Sequence, residues 1–364
     1  MGEKMKLKNT VDTTDAKMGG YEVVSDEEIE EILIKYDRES AYRRIPGVFS
    51  LIISVIAIAF SCFQLYTAAF GVLPAQIQRA VHLGFGVALT YLLYPATRKS
   101  VHKLAWYDVA LAILGVLVMS YPVWNFHSLL IRAGAYTRLD IIVGAIGILL
   151  VLEATRRVVG VPILIVVTVA LAYSYFGRYI PGFFQHRGAS LQRLVSHMFY
   201  TTEGIFGIPL GVSSVFIFLF ILFGAFLEKT GIGQFFIDIS NSIAGHAAGG
   251  PAKVAVITSA FEGTISGSSV ANTVGSGSFT IPMMKKLGYR PEFAGAVEAA
   301  ASTGGQIMPP IMGAAAFLMA EFIGVPYLQI VKSAIIPALL YFAGVFIVVH
   351  LEAKKTGLKG LDRD

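Results

Sequence analysis

An apolar stretch between Pro251 and Lys286 is interrupted at its centre by small and polar residues, GTISGSSVANTVGSGS, at positions 263 to 278. With Lys253 near one end and Lys285 near the other, it lacks the roughly 20 uninterrupted apolar residues of a spanning helix. Non-helical backbone is tolerated at membrane depth only where it is buried in protein or lines a water-filled cavity. The stretch therefore predicts a re-entrant helical hairpin with a ligand at its tip.

The composition assigns the whole chain to the membrane. Hydrophobic residues make up 55% of the 364 residues, charged residues make up 15%, and the mean hydropathy is +0.67. Soluble domains carry about 25% charged residues, so we expect an integral membrane protein. The single cysteine, Cys62, lies inside an apolar run, and one cysteine cannot build a disulfide framework or a cysteine-rich metal site.

A second interrupted stretch follows the hairpin. The residues from Pro291 to Ile323 would form a helix of about 50 Å, which is too long for one straight crossing of a ~30 Å hydrocarbon layer. They contain STGGQIMPP at 302 to 310, where Pro309 and Pro310 remove two backbone donors and disfavour helix before them. We expect a hinge or break there.

The predicted fold is an all-α integral membrane protein with about eight transmembrane helices, one re-entrant helical hairpin and one broken helix. Apolar windows identify the straight spans. They run over 48 to 70, 78 to 96, 106 to 124, 139 to 157, 160 to 178, 208 to 228 and 328 to 350.

The charge distribution predicts that both termini are cytoplasmic. The first residues contain DEEIEE at 26 to 31 and no apolar core ahead of a small-residue cleavage site, so no cleaved signal peptide is expected. An orientation with the N-terminus inside places most of the 29 Lys and Arg residues in cytoplasmic segments. That orientation accounts for the net charge of +5, and nucleic acid is not expected as a partner.

The chain divides at the VVGVP linker, 158 to 162, because the interrupted segments all lie after it. Segments 190 to 209 and 231 to 250 suit helices lying in the membrane interface, although simple packing segments are an equal alternative. The predicted organisation is a cytoplasmic N-terminal segment over 1–45, a four-helix membrane domain over 46–158, a transport domain over 159–353 with the hairpin at 251–286 and the broken helix at 291–323, and a basic cytoplasmic tail over 354–364.

Several strings in the C-terminal block resemble the large membrane subunit of tripartite ATP-independent periplasmic (TRAP) transporters. They are GVPI at 160, IPLGVSSVFIFLFILFGAFLEKTGIG at 208, ISGSSVANT at 265, IPMMKKLGY at 281 and STGGQIMPP at 302. The segment 294 to 327, together with Asn272, is similar to the fused permeases of the TAXI-type branch. The first four spans stand where that family has its small four-helix subunit.

The resemblance implies a secondary, sodium-coupled transporter of organic anions in the cytoplasmic (inner) membrane of a bacterium or archaeon, working with an extracytoplasmic substrate-binding protein. It also implies an inverted repeat with two hairpins and two broken helices, of which this sequence carries one each. We expect a truncated or split permease. A second polypeptide carrying the missing repeat and an inactive fragment are both open alternatives.

The hairpin tract carries the candidate substrate site. A helix restarting near 270 to 273 directs free amides into the cavity, and its positive end attracts carboxylates. Short side chains there can hydrogen-bond with little reordering, and a glycine lets backbone approach the ligand. The candidate substrate residues are Gly267, Ser268, Ser269, Asn272 and Thr273.

A candidate sodium site combines oxygens from the hairpin tip and from the unwound helix, as in broken-helix carriers. Sodium coupling itself is implied by the resemblance, and no other cofactor is expected. The alternative is that the small residues only permit close helix packing. The candidate sodium residues are Ser266, Ser269, Ser302, Thr303, Gly304, Gly305 and Gln306.

Two carboxylates lie inside these apolar segments. Glu262 falls near the end of the first hairpin arm and Glu298 inside the broken helix. Ionisable residues within membrane segments are costly and are functional candidates by default. Each is a candidate polar relay for a proton or a cation, and a hydrogen-bonded structural role is the alternative.

Two other function classes compete with a carrier. An intramembrane serine hydrolase would use the hairpin serines with His197, His246 or His350 as base, but no motif specifies a triad. A channel-like pore would need a charge ring or filter sequence, and none is present. We therefore expect a carrier and not an enzyme.

Overall fold

The computed structural model describes residues 42–43, 47–96 and 104–360, apart from the side chain of Glu228. Within these ranges all regular structure is helical and no strand is present, which confirms the all-α prediction. The predicted cytoplasmic segment 1–45 lies almost wholly outside the described residues, as do the last four residues of the predicted tail.

The chain forms two compact units. Of the described residues, the first contains those up to Phe223 together with Phe317–Val325, and the second contains Gly224–Ala316 and the residues from Pro326 to Gly360. The domain boundary predicted at 158 lies inside the first unit and stays a prediction. Helices α1 to α9 are Val48–Phe70, Ala75–Leu93, Trp106–Trp124, Phe126–Ile131, Arg138–Val158, Val161–Phe176, Leu191–Tyr200, Ile208–Val212 and Phe218–Lys229.

Helices α10 to α16 continue the chain. They are Ile232–Ala244, Gly250–Ser266, Ser269–Gly275, Gly277–Lys286, Pro291–Gly304, Ala314–Ile323 and Tyr327–Thr356. A π-helical turn, Ser213–Ile217, joins α8 to α9 into one rod, and short 3₁₀ turns occupy Gly177–Tyr179, Gly182–Phe184 and Gly305–Ile307. The two segments predicted to lie in the interface contain α7 and α10, and their placement in the membrane stays a prediction.

Five helical rods of the described residues are long and apolar enough to cross a membrane. Helix α1 exposes large apolar side chains along its length, such as Leu51, Val55 and Ile58, as expected where the surrounding solvent is lipid. The five rods are Val48–Phe70, Trp106–Trp124, Val161–Tyr179, Ile208–Leu227 and Tyr327–Thr356.

Two of the predicted spans, 78–96 and 139–157, form helices α2 and α5 but are not among these five rods. Both carry charged residues. In α2, Arg79 donates to the carbonyl oxygen of Phe206 at 2.7 Å. In α5, Asp140 forms a capping box with Thr137 at the first turn. Polar groups that are bonded within the protein reduce the hydropathy of a helix without excluding it from a bundle.

An ion-pair cluster fixes the ends of α2, α3 and α5. The carboxylate of Asp108, fully buried, contacts Arg43 at 2.5 Å and Arg157 at 2.7 Å. Glu153 contacts Arg156 and Arg157 at 2.7 and 2.8 Å, at the i,i+3 and i,i+4 spacings that bring side chains together on one helix face. The Arg157 guanidinium also lies 4.8 Å from the centre of the Tyr91 ring.

Each unit has its own apolar core. The first centres on Tyr91, Met119 and Phe199, all at most 1% exposed. The second is built largely from alanines and valines, including Ala252, Ala301 and Val349, which have no exposed surface. Small residues let helix backbones approach closely, as is common in membrane bundles. This second core supports the hairpin and the broken helix.

Candidate functional site

Residues 250–286 fold into a helical hairpin. Helix α11 runs to Ser266, the chain turns at Gly267, and helices α12 and α13 return. Val254 on the first arm packs in one cluster with Met283 on the second. Residues 250–286 therefore form two helical arms joined by a turn, and their re-entry into the membrane as a hairpin stays a prediction.

The turn of the hairpin depends on a glycine at position 267. Its φ of +60° lies in the left-handed region that side chains disfavour. A methyl group there would also stand 2.0 Å from the carbonyl oxygen of Met312. Beyond the turn, Ser268 caps α12 by accepting a hydrogen bond from the amide of Ala271 at 3.2 Å. One of the free amides expected at this helix start is thus already satisfied.

The second interrupted stretch forms two helices and not one. Helix α14 ends at Gly304 and α15 begins at Ala314, with a 3₁₀ turn and a cis bond between Pro309 and Pro310 in between. The hydroxyl of Tyr327 donates to the carbonyl oxygen of Pro310 at 2.9 Å, which holds the loop against the start of α16. Whether the two prolines act as a hinge stays a prediction.

The hairpin tip and the break lie against each other, backbone to backbone. A methyl group at Gly263 would stand 2.4 Å from the Cα atom of Gly305, and one at Gly305 would stand 2.5 Å from Nδ2 of Asn272. Across the same contact, Nε2 of Gln306 donates to Oγ of Ser269 at 3.0 Å. Residues 33 to 42 positions apart in sequence thus meet at one contact.

Most of the predicted substrate residues lie at this contact. Asn272 is buried, at 3% exposure, and its Oδ1 accepts a hydrogen bond from Ser266. Its Nδ2 is a buried donor without a hydrogen-bond partner among the described groups. Thr273 donates instead to the carbonyl oxygen of Ser269 at 2.8 Å, within its own helix.

The predicted sodium residues divide into two groups. Ser266, Ser269, Gly305 and Gln306 lie at the contact between the tip and the break. The other three lie away from it: Ser302 donates to Glu298, Thr303 donates to Ala299 of its own helix, and Gly304 packs against the ring of Tyr341.

Glu298 is surrounded by hydroxyl groups. Its Oε1 lies 2.7 Å from Oγ of Ser276, 3.1 Å from Ser302 and 3.4 Å from Ser259, and its Oε2 accepts from Thr280. The other intramembrane carboxylate, Glu262, faces the returning arm, with Oε1 4.0 Å from where a methyl group of Gly275 would stand.

Three of these hydroxyls escaped the sequence-based site prediction: Ser259, Ser276 and Thr280. One signal was available. Ser276 and Thr280 are four residues apart, as are Glu298 and Ser302, and residues at that spacing share a helix face. The spacing does not indicate which two helix faces meet, so the cluster needed tertiary structure to be found.

Comparison with known proteins identifies the family. The profile of the family described as "Tripartite ATP-independent periplasmic transporter, DctM component" matches residues 146–364. The chain is 31% identical over 144 residues to the "C4-dicarboxylate TRAP transporter large permease protein DctM" of Pseudomonas aeruginosa, a match covering 40% of this chain and 33% of that relative.

Two further relatives show the same pattern. The Vibrio cholerae "C4-dicarboxylate TRAP transporter large permease protein DctM" is 28% identical over 213 residues, covering 58% of this chain and 43% of the relative. The "Isethionate TRAP transporter permease protein DctMQ" of Oleidesulfovibrio alaskensis is 30% identical over 145 residues, covering 40% and 22%. The matches thus span less than half the length of each relative.

The family profile covers more than half of the chain and includes the hairpin, the broken helix and the contact between them. The chain therefore belongs to the DctM family of tripartite ATP-independent periplasmic (TRAP) transporter permeases, which are multi-pass membrane transport proteins and not enzymes.

Proposed function

We propose that the hairpin and the broken helix form one half of the substrate and ion site of a sodium-coupled carrier for organic anions. The observation that carries this proposal is the contact between the two interruptions, with Gly263 against Gly305 and Gly267 against Met312. Carriers of this kind bind substrate and coupling ions where discontinuous helices meet near the midplane of the bilayer.

The anion preference rests on donors at this contact. Nδ2 of Asn272 is buried without an acceptor, and a substrate carboxylate would supply one. The side-chain amide of Gln306 is a second donor at this contact, where its Nε2 donates to Oγ of Ser269. The relatives named above are permeases for C4-dicarboxylates and for isethionate, all small organic acids, which supports the same class of substrate for this chain.

The coupling ion is the second substrate of the proposed carrier. A sodium ion takes oxygen ligands, and the contact provides backbone as well as side-chain oxygens. The carbonyl oxygen of Met312 would lie 2.0 Å from a methyl group placed on Gly267. The carbonyl oxygen of Gly267 would lie 3.5 Å from a methyl group placed on Gly313. With Ser266 and Ser269 beside them, these carbonyls form an oxygen-rich surface suited to a small hard cation.

We further propose how the permease is arranged and completed. The permease belongs to the TAXI-type branch, crosses the inner membrane of a bacterium or archaeon about eight times, and keeps both termini in the cytoplasm. The hairpin re-enters the membrane without crossing it. An extracytoplasmic binding protein delivers the substrate, and a complementary repeat outside this sequence, on the same or a second polypeptide, completes the site.

Uptake into membrane vesicles tests the proposal. The vesicles come from cells that express the protein from its native locus, and the probes are radiolabelled succinate and isethionate with and without a sodium gradient. We expect saturable, sodium-dependent uptake of at least one probe. Asn272→Ala should lower uptake at least about tenfold, because it removes the buried donor.

Ser333→Ala is the matched control, since that exposed hydroxyl only donates to the carbonyl oxygen of Gln329 in its own helix. It should retain wild-type uptake. Flux that rises linearly with substrate concentration would identify a channel-like pore instead. Uptake that is saturable but insensitive to Asn272→Ala would place the substrate elsewhere and contradict the proposed site.

A further inference from the structure

Among the residues of the second unit that the structure describes, Glu298 carries the most deeply enclosed ionisable group. Glu298, Ser259, Ser276, Thr280 and Ser302 have no exposed surface. The hydroxyls come from both arms of the hairpin and from the broken helix itself. None of the ion pairs formed by the described residues includes Glu298.

A buried carboxylate without a basic partner is costly as an anion unless a cation compensates its charge. Buried charges in proteins are either paired or bound to a metal ion, and ionisable groups at membrane depth mark ion pathways. When Glu298 is ionised, the hydroxyl donors stabilise its carboxylate, but the enclosed region keeps a net charge of −1. A small monovalent cation would neutralise it.

The four hydroxyls are able to turn towards such a cation. A Ser or Thr in a helix can donate its proton to the carbonyl four residues earlier, which frees the oxygen lone pairs. Ser276 already lies 2.8 Å from the carbonyl oxygen of Asn272 in addition to its contact with Glu298. With all four hydroxyls turned in this way, their oxygens and the two carboxylate oxygens would surround one point with oxygen ligands alone, the chemistry that hard cations prefer.

We propose that Glu298, with Ser259, Ser276, Thr280 and Ser302, forms a sodium site separate from the one at the hairpin tip. The inference rests on the proposed function, because it assigns this cation to the same transport unit. The site joins α11, α13 and α14, so a bound sodium ion draws both hairpin arms onto the broken helix. Ser276 connects it to Asn272 at the tip, which links ion occupancy to the substrate contact.

Equilibrium binding of radioactive sodium to the purified full chain in detergent tests the inference, with choline chloride keeping the ionic strength constant. Glu298→Gln preserves the shape and hydrogen-bonding capacity of the side chain but removes its charge. We expect it to weaken one class of sodium sites at least about tenfold, since the sole charged ligand is lost. Gln306→Ala, at the tip, should leave that class intact.

A second variant keeps the test decisive if Glu298→Gln fails to fold. Ser259→Ala combined with Thr280→Val removes two ligands from different arms and should weaken the same class of sites, and Ser333→Ala serves as control. Sodium binding unchanged in both variants would overturn the inference. Loss of sodium binding only in Gln306→Ala would leave the tip as the single site, which overturns the inference but spares the proposed function.

Discussion

At the scale of single residues, glycine at position 267 controls the geometry of the site. The backbone there is left-handed, and the carbonyl oxygen of Met312 occupies the space that a side chain would need. Both features act on the same residue, so replacing it should misplace the capping Ser268 and the buried Asn272. The position is therefore sensitive even to the smallest side chain.

Gly267→Ala should lower the stability of the protein by about 2–4 kcal/mol, combining left-handed strain of ~1 kcal/mol with a steric clash against backbone. Gly357→Ala is the matched control, because Gly357 has a similar φ of +69° with open space around it. It should cost only the strain. Thermal unfolding in detergent measures both variants, and equal shifts would show that the contact with Met312 is not tight.

Residue types alone predicted where the chain is interrupted but not what each interruption contacts. The interruptions around Gly267 and before Pro310 could be predicted because Gly, Ser and Pro disfavour a continuous helix. The pairing of Gly263 with Gly305, and of Glu298 with Ser259, depends on how three helices pack. One sequence carries no direct record of that packing.

At the scale of elements, the charged helices α2 and α5 show why hydropathy identifies only some of the spans. Their charged and polar side chains are bonded within the first unit, and Asp108 of α3 receives two arginines. The Glu153 pairs could be expected from their spacing. The contacts of Asp108 could not, because Arg43 and Arg157 lie 65 and 49 residues away.

Asp108→Asn should destabilise the first unit by about 3–5 kcal/mol, because it leaves the buried Arg157 without its fully enclosed partner. Glu153→Gln is the control for charge removal at a partly exposed position and should cost at most about 1 kcal/mol. The thermal unfolding midpoints of the two variants give the comparison. A smaller effect for Asp108→Asn than for Glu153→Gln would show that the enclosed ion pairs are not the stronger anchor.

At the scale of the whole molecule, the proposed carrier function depends on how the hairpin enters the membrane. A re-entrant hairpin exposes both its ends on one face, and a pair of half-length helices in series would cross to the other. Both arrangements would contain the same helices over residues 250–286, so the helix bounds alone do not distinguish them. The direction of the return arm and the packing of Val254 with Met283 favour re-entry.

Cysteine labelling with a membrane-impermeant maleimide tests re-entry most directly. Cys62→Ser removes the native thiol, and single cysteines then replace the exposed Ala247 and Lys286. Lys355→Cys is the reference for the predicted cytoplasmic face, and Ala135→Cys is the reference for the opposite face. In intact cells, Ala247→Cys and Lys286→Cys should both be protected, like Lys355→Cys, and all three should react once the membrane is opened. Labelling of one of the two hairpin positions but not the other in intact cells would show that the segment crosses the membrane and would contradict the account.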